Sequence, residues 1–297
     1  MNNNRTLFSV LHNITETLNS TYHDSELSTA HAWWLLEATT HTSRAQLIAQ
    51  PQRVLTAHEQ AWLNNALEKI TQYSMPIQYA LGSVPFLDLT ILVEPPILIP
   101  RPETESWVAD LITQLTASSH PPHHILDLCT GSGCIALALA RAFPACVIDA
   151  IDCDQRACTL VKKNMIHNQI TNVRCQQGDL FDQLRTEMPT EKKYDLIVAN
   201  PPYIPQHTYE QLDDSVRMWE AHHALSGGID GLDVIRRIVA ASPSWLSHQG
   251  LLCIEIDATQ GKIVYDLFEQ AGFANIQLRY DDNNRARMVS GIHMRNY

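Results

Sequence analysis

The sequence predicts an α/β protein in which a mostly parallel sheet, with an antiparallel pair at its edge, follows a small all-α domain. After residue 123, short apolar runs alternate with helical segments, as in βαβ units. Before residue 75, apolar residues recur at helical spacing. Five prolines between residues 75 and 100 exclude a long helix and favour a hairpin-like connector. We therefore expect a helical domain over 1–74, a β-hairpin linker over 75–100 and an α/β domain over 101–297.

Three segments of the first 74 residues have the pattern of helices. The first spans Leu7–Leu18, and the second contains Trp33 and Trp34. Thr56 is a candidate N-cap for the third, and Glu59 follows it at the spacing of a capping box. We interpret Trp33 and Trp34 as core residues in preference to a platform for a ligand.

The linker and the α/β domain are predicted from shorter signals. The linker contains an extended run over Leu87–Val93, and Pro102 fits the first turn of a new helix. Two further helices are expected, one ending near Ala142 and one spanning Ala157–Asn168. The predicted strands are Ile125–Leu128, Val147–Ile151, Val173–Gln176, Tyr194–Ala199, Leu251–Ile256, Ile276–Tyr280 and Arg287–Ile292, of which the last two form the antiparallel edge pair.

The composition argues against several classes of protein. Of the 297 residues, 21 are basic and 32 acidic, and a net charge of −11 does not suit a chain that mainly grips nucleic acid. The seven cysteines show no CxxC pair and no Cys/His ligand spacing, so we expect reduced thiols and no metal site. We see no signal peptide and no run of about 18 apolar residues that could span a bilayer. A cytoplasmic monomer without membrane attachment is expected.

A candidate cofactor site begins at the turn after the first strand, where glycines let a ligand approach the backbone. The spacing is not GxGxxG, because Cys129 occupies the first glycine position. Asp152 can accept both ribose hydroxyls, while Asp179 and Leu180 can bind an adenine amine and cover its ring. These features suit an adenosine-containing cofactor without a pyrophosphate, although the acids could merely cap helices, an alternative that is most serious for Asp127. The predicted cofactor-binding residues are Asp127, Cys129, Thr130, Gly131, Ser132, Gly133, Asp152, Asp179, Leu180 and Asn200.

Asn200-Pro201-Pro202-Tyr203 directly follows a predicted strand, and the carboxyl ends of such strands border the ligand crevice. Asn200 Oδ1 and the Pro201 carbonyl can accept both hydrogens of a planar –NH₂ group, while the two prolines stiffen the loop. Holding both N–H bonds aims a poorly nucleophilic nitrogen at a methyl donor, and Tyr203 can wall the planar substrate. We predict Asn200, Pro201 and Tyr203 as catalytic residues, with Pro202 as a further substrate contact.

Two other functions stay open on these residues. The same motif suits an adenine amine flipped out of a nucleic-acid stack, which would make the chain an N6-adenine methyltransferase. The acidic charge and the absence of a basic face in the helical domain count against it. A non-enzymatic interaction protein could also retain a cofactor fold, but the complete motif Asn200–Tyr203 counts against that.

Over nearly its whole length, the chain resembles the peptide chain release factor N5-glutamine methyltransferases. Besides the cofactor turn and Asn200–Tyr203, the similarity includes Gln78–Gly82, Leu98–Glu105 and Ala224–Leu232. The Arg-Pro-Glu-Thr-Glu segment at 101–105 differs from the corresponding part of related enzymes that act on a ribosomal protein. The resemblance therefore favours release factors as substrates.

This resemblance implies a Rossmann-like class I methyltransferase fold that uses S-adenosyl-L-methionine, with a helical substrate-recognition domain. It implies methylation of the glutamine N5 in the Gly-Gly-Gln loop of class 1 release factors, with no direct binding of nucleic acid. Arg101 and Glu105 are predicted substrate-binding residues, but Glu103 and Glu105 could instead simply favour a helix N-terminus. The chain departs from the family at Ala221, where proline is usual, and in the polar loop over Arg185–Lys193.

Overall fold

The computed structural model describes residues 6–182, 184 and 193–294 and divides into two compact units. One unit contains the described residues up to Gly82 together with Asp213–Trp219, and the other contains Ser83–Leu212 and the residues from Glu220 onward. Within the described ranges, no helix is both long and apolar enough to cross a membrane. Apart from Lys193, the predicted polar loop over 185–193 lies outside the described residues.

The first unit is built from helices. They are α1 (Leu7–Tyr22), α2 (Ser25–Thr40), α3 (Arg44–Ile48), α4 (Ala57–Tyr73), α5 (Ile77–Leu81) and the short α10 (Asp214–Arg217). The predicted capping box is present at α4, because Thr56 Oγ1 accepts the Glu59 N–H and the Glu59 carboxylate accepts the Thr56 N–H.

The interpretation of both adjacent tryptophans as core residues was wrong for one of them. Trp33 is buried, as predicted, but Trp34 is 45% exposed. Successive residues of a helix point about 100° apart, so two neighbours on a two-sided helix rarely both face its core. Trp34 packs on His31 with ring centroids 5.0 Å apart.

A two-stranded hairpin opens the second unit, with β1 (Ser83–Phe86) antiparallel to β2 (Leu89–Leu92). The predicted extended run over Leu87–Val93 was wrong at its start, because Leu87 lies in the turn. Its φ of 53° is in the left-handed region, which reverses the chain between the strands.

The main sheet of the second unit has seven strands in the order β5-β4-β3-β6-β7-β9-β8. The first five of these are mutually parallel, and β9 and β8 form the antiparallel edge. The predicted fold class, a Rossmann-like sheet with flanking helices, is confirmed. The strands are β3 (His124–Leu128), β4 (Val147–Asp152), β5 (Val173–Gln177), β6 (Tyr194–Ala199), β7 (Leu246–Glu255), β8 (Phe273–Tyr280) and β9 (Ala286–His293).

Helices cover both faces of this sheet. The apolar side chains of β6 alternate, so that Leu196 and Val198 join one buried cluster while Ile197 and Ala199 join the other. A strand buried on both faces is held rigidly, and it delivers the following loop at a fixed place. The helices are α6 (Pro102–Thr116), α7 (Cys134–Ala142), α8 (Gln155–His167), α9 (Gln206–Tyr209), α11 (His222–Leu225), α12 (Asp233–Ala241) and α13 (Gly261–Gln270).

Two asparagines, one in the last turn of helix α8 and one directly after it, bond the backbone of β2 as a neighbouring strand would. Asn164 accepts the Leu92 N–H at 2.7 Å and donates to the Leu92 carbonyl at 3.1 Å. One helical turn along, Asn168 makes the same pair of bonds with Thr90. Four residues of helix rise about 6 Å and two residues of strand about 6.6 Å, so the spacings match. These side chains therefore fix the hairpin on the sheet domain.

We expect Asn164→Ala to lower the free energy of unfolding by about 2–4 kcal/mol, because Asn164 is fully buried and its loss leaves backbone groups of Leu92 without partners. Urea denaturation measures the change. Asn283→Ala, in an exposed turn, is the control and should change stability by less than about 0.5 kcal/mol. Equal stability of both variants would contradict this role of Asn164.

Candidate active site

A cavity of about 270 Å³ opens at the carboxyl ends of the parallel strands. Four neighbouring strands contribute to it through the residues that directly follow or end them. The adjoining wall comes from the segment before α6, from α11 and from α12. Of the predicted site residues, the structure brings together Cys129, Gly131, Asp152, Asp179, Leu180, Asn200 and Pro202 at this cavity.

Asp152 ends β4 and is fixed at the cavity by backbone donors. Its Oδ2 accepts the Gly131 N–H at 2.8 Å, and its Oδ1 accepts the Asp154 N–H at 2.9 Å. Each carboxylate oxygen has a second acceptor position, so the group can still receive hydroxyl hydrogens from a ligand. Burial raises the pKa of Asp152, and these two backbone bonds act in the opposite direction. The site thus offers an oriented carboxylate suited to a ribose diol.

Asp179 and Leu180 follow β5 and also line the cavity. Leu180 has a φ of 54°, and this left-handed conformation lets its buried side chain line the wall. Asp179 Oδ2 accepts from Arg237 at 2.8 Å, with 58% of the Asp179 side chain exposed. An apolar wall beside an exposed acid can cover a planar ring and accept its amine hydrogen.

Four residues predicted to bind the cofactor lie in or next to the turn after β3 and do not line the cavity. Asp127 is fully buried, and its Oδ2 accepts from Thr130 Oγ1 at 2.6 Å and from the Ala136 N–H at 3.2 Å. Gly133 has a φ of 84°, and a Cβ there would lie 3.0 Å from the Val161 side chain. In this structure Asp127, Thr130, Ser132 and Gly133 shape the turn, and their direct contact with the cofactor stays a prediction.

The buried Asp127 carboxylate should make stability depend on pH. Burial raises its pKa to about 7, so between about pH 4 and pH 7 the folded state holds a proton that the unfolded state releases. The free energy of unfolding of the wild type, compared with that of Asp127→Asn, should therefore fall by about 3 kcal/mol between pH 5 and pH 8. The loss accumulates over the two pH units from 5 to the pKa of about 7, at about 1.36 kcal/mol for each unit. Urea unfolding at both pH values measures this. Asn164→Ala removes no titratable group and is the control, so its difference in unfolding free energy from wild type should not change with pH. A difference between wild type and Asp127→Asn that stays constant with pH would contradict the role of the carboxylate.

Asn200 is joined to a buried network that sequence reasoning missed. Its Nδ2 donates to Thr104 Oγ1 at 3.3 Å, and Thr104 in turn donates to Glu255 Oε2 at 2.7 Å. The same Oε2 accepts from Trp107 Nε1 at 2.6 Å, and Oε1 accepts from the Tyr203 hydroxyl at 3.3 Å. Burial raises the pKa of Glu255, while the bonds from its three donors lower it. An acid within the apolar run of β7 was the available signal for Glu255.

The structure shows where Tyr203 lies, while its predicted role as an aromatic wall for the substrate stays a prediction. Tyr203 does not line the cavity; its ring packs with the apolar cluster behind the motif, and its hydroxyl faces Glu255. Burial raises the pKa of its phenol. Pro201 is buried and contributes its backbone to the loop. In this position Tyr203 anchors the loop to β7.

Arg101 and Glu105, predicted to bind substrate, make other contacts. Arg101 bonds both oxygens of the buried Glu220, at 2.8 and 2.6 Å. Glu105 accepts the Leu87 N–H at 2.7 Å and so stabilises the hairpin turn. Both side chains thus contact the protein itself and do not line the cavity, and their binding of substrate stays a prediction.

The loop that contains Gly227 and Gly231 packs against the Asn200–Tyr203 motif and the residue after it. Gly227 donates to the Ile204 carbonyl at 2.9 Å, and Gln260 Nε2 bridges the carbonyls of Tyr203 and Gly231 at 2.9 and 3.2 Å. A Cβ on Gly231, whose φ is 78°, would overlap the Tyr203 carbonyl oxygen. The close approach explains why this stretch needs glycine.

The departure at Ala221 is accommodated by a bond that proline could not make. The Ala221 N–H donates to the Pro96 carbonyl at 2.8 Å, and Ala221 lines the cavity. The neighbouring Glu220 accepts from Arg101 and from the Ile99 N–H. Ala221 thus helps to hold the segment before α6 against the cavity.

The fold and the site are those of a methyltransferase, and two family models that match the chain agree with this class. The model described as the methyltransferase small domain matches residues 108–228, and the model described as the PrmC N-terminal domain matches residues 9–82. A methyltransferase of known structure from Pyrococcus furiosus has a TM-score of 0.52 and 15% identity, with 81% of this chain and 100% of that chain covered. This likeness shows the fold.

The particular family follows from curated relatives. A release factor glutamine methyltransferase from Geobacter sulfurreducens is 34% identical over 87% of each chain. One from Thermosynechococcus vestitus is 40% identical, with 71% of this chain and 69% of the relative covered. The chain belongs to the release factor glutamine methyltransferase family.

Proposed function

We propose that this protein transfers a methyl group from S-adenosyl-L-methionine to the side-chain N5 of the glutamine in the Gly-Gly-Gln loop of class 1 release factors. The observation that carries the proposal is that Asn200 lines the same cavity as Asp152 and Leu180. An acceptor for an amide –NH₂ and the groups suited to an adenosine therefore meet in one site. Membership of the family supplies the substrate class.

The residues at the cavity fit the cofactor. Asp152 would hold the ribose hydroxyls and Leu180 would cover the adenine. The turn at Gly131 would let the cofactor lie close to the protein backbone. Carboxylates at the cavity also suit the positive charge of a sulfonium. When bound, S-adenosyl-L-methionine supplies an electrophilic methyl group.

The protein's own residues orient the substrate nitrogen. Asn200 Oδ1 and the Pro201 carbonyl would accept the two amide hydrogens, and the prolines keep the carbonyl direction fixed. Because an amide lone pair is delocalised, this positioning supplies much of the rate acceleration. Pro201 and Pro202 are buried and Asn200 is half-buried, so the protein around this loop restricts its movement.

We further propose that the helical unit recognises the release factor, with domains over 1–74, 75–100 and 101–297, and that the protein acts as a monomer without binding nucleic acid directly. The net charge of −11 supports a protein substrate over a nucleic-acid substrate. Light scattering tests the oligomeric state.

To test this function, the enzyme is incubated with S-adenosyl-L-methionine that carries a labelled methyl group. The substrates compared are a purified release factor, its Gln→Ala loop variant, and adenine-containing DNA and RNA. We expect label on the unmodified release factor and none on the loop variant. Label on nucleic acid alone would replace this function by adenine methylation.

A further inference from the structure

The polar chain Glu255–Thr104–Asn200 has a fixed direction. Trp107 Nε1 can only donate, so the Glu255 Oε2 that receives it at 2.6 Å is an acceptor. Thr104 bonds the same oxygen at 2.7 Å and must therefore direct its single hydroxyl hydrogen to it. Only lone pairs of Thr104 Oγ1 then remain for its other neighbour.

This direction determines the orientation of the Asn200 amide. The atom of Asn200 that faces Thr104 Oγ1 at 3.3 Å has to be a donor, which identifies it as Nδ2. The carbonyl Oδ1 is consequently on the opposite side of the amide group. A flipped amide would place two acceptors against each other beside a buried carboxylate, which costs free energy.

The network is well placed to hold this state. Thr104 and Glu255 are each only 1% exposed, so water does not compete for their bonds. They lie on α6 and β7, two elements that are packed in the core, and the Tyr203 hydroxyl ties the same carboxylate to the catalytic loop. The elements that carry Asn200, Tyr203 and Thr104 are thus linked at one buried acid.

We propose that Thr104 and Glu255 are positioning residues that lock the Asn200 amide with Oδ1 toward the substrate amide hydrogens. The proposal rests on the proposed role of Asn200 in binding glutamine. It assigns a purpose to the threonine of the Arg-Pro-Glu-Thr-Glu segment, whose flanking Arg101 and Glu105 serve structural contacts.

The kinetic test compares Thr104→Val with Thr104→Ser in the full-length enzyme. Valine keeps the size but removes the hydroxyl, and we expect kcat for the release factor to fall about 10- to 100-fold while the Kd for S-adenosyl-L-methionine changes less than about 3-fold. Serine keeps the hydroxyl and should restore kcat to within about 3-fold. Ser242→Ala, which removes another buried hydroxyl bonded to the Ile238 carbonyl at 2.7 Å, is the matched control and should retain full activity.

A double-mutant cycle separates positioning from a general structural effect. In an Asn200→Ala background, Thr104→Val should cost no more than about 2-fold in kcat, since its effect is transmitted through Asn200. An equal loss in both backgrounds, full activity of Thr104→Val, or failure of serine to rescue would each overturn the proposal.

A spectroscopic measurement keeps the proposal testable without turnover. In protein labelled with ¹⁵N-asparagine, the Asn200 side-chain signal is assigned by its loss in Asn200→Ala. Its amide hydrogens should exchange with water at least about 10-fold faster in Thr104→Val than in wild type or Thr104→Ser. Unchanged exchange would overturn the positioning role, whereas wild-type enzyme that leaves release factors unmethylated but shows this pattern would overturn only the proposed substrate.

Discussion

Replacing Asn200 by alanine should lower kcat for release factor methylation by about 100- to 1,000-fold, the usual loss when an oriented hydrogen-bonding group at the reacting centre is removed. The Kd for S-adenosyl-L-methionine should change by less than about 3-fold, because Asp152 and Leu180 remain in place. Rapid-mix kinetics and calorimetry measure the two quantities. Wild-type kcat in the variant would remove Asn200 from the mechanism, and a lost cofactor affinity of the same size would make it a cofactor residue instead.

The second large effect is expected at Asp152. Alanine removes an ionised acceptor that also holds the Gly131 turn and the start of α8 through Asp154. Hydrogen bonds to charged groups contribute about 1.5–3 kcal/mol each, so the Kd for S-adenosyl-L-methionine should rise at least about 100-fold in calorimetric titrations.

Asp179→Ala provides the matched control for Asp152. Asp179 also lines the cavity, but its side chain is 58% exposed and already paired with Arg237. Solvent screens such a group, so its loss should raise the Kd less than about 10-fold. A larger loss for Asp179 than for Asp152 would contradict the assignment of Asp152 to the ribose.

The sheet and its edge pair were predictable because the spacing of apolar residues and the alternation of strands with helices indicate which faces are buried. The Asn200–Tyr203 motif was found for a related reason, since it directly follows the doubly buried strand β6. The family resemblance was predicted from motifs over the whole chain, and the curated relatives confirm it.

The direction of individual side chains could not be predicted. Asp127 lies one residue before the end of β3 and Asp152 ends β4, yet Asp127 bonds Thr130 behind the cavity while Asp152 lines the cavity. Thr104 and Glu255 are 151 positions apart in the chain, so no local pattern could show their bond. The role of the buried Glu255 can be inferred only from the donors that the fold brings to it.

The proposed function requires that the glutamine side-chain nitrogen receives the methyl group. Tandem mass spectrometry of the release factor after reaction with wild-type enzyme should place one methyl on the side-chain amide of the Gly-Gly-Gln glutamine. Asn200→Ala, whose kcat is about 100- to 1,000-fold lower, should leave nearly all of that peptide unmodified at the same enzyme concentration and reaction time. A methyl group on another residue of the release factor would contradict the proposed substrate atom. The same modified glutamine formed at full rate by Asn200→Ala would contradict the proposed role of Asn200.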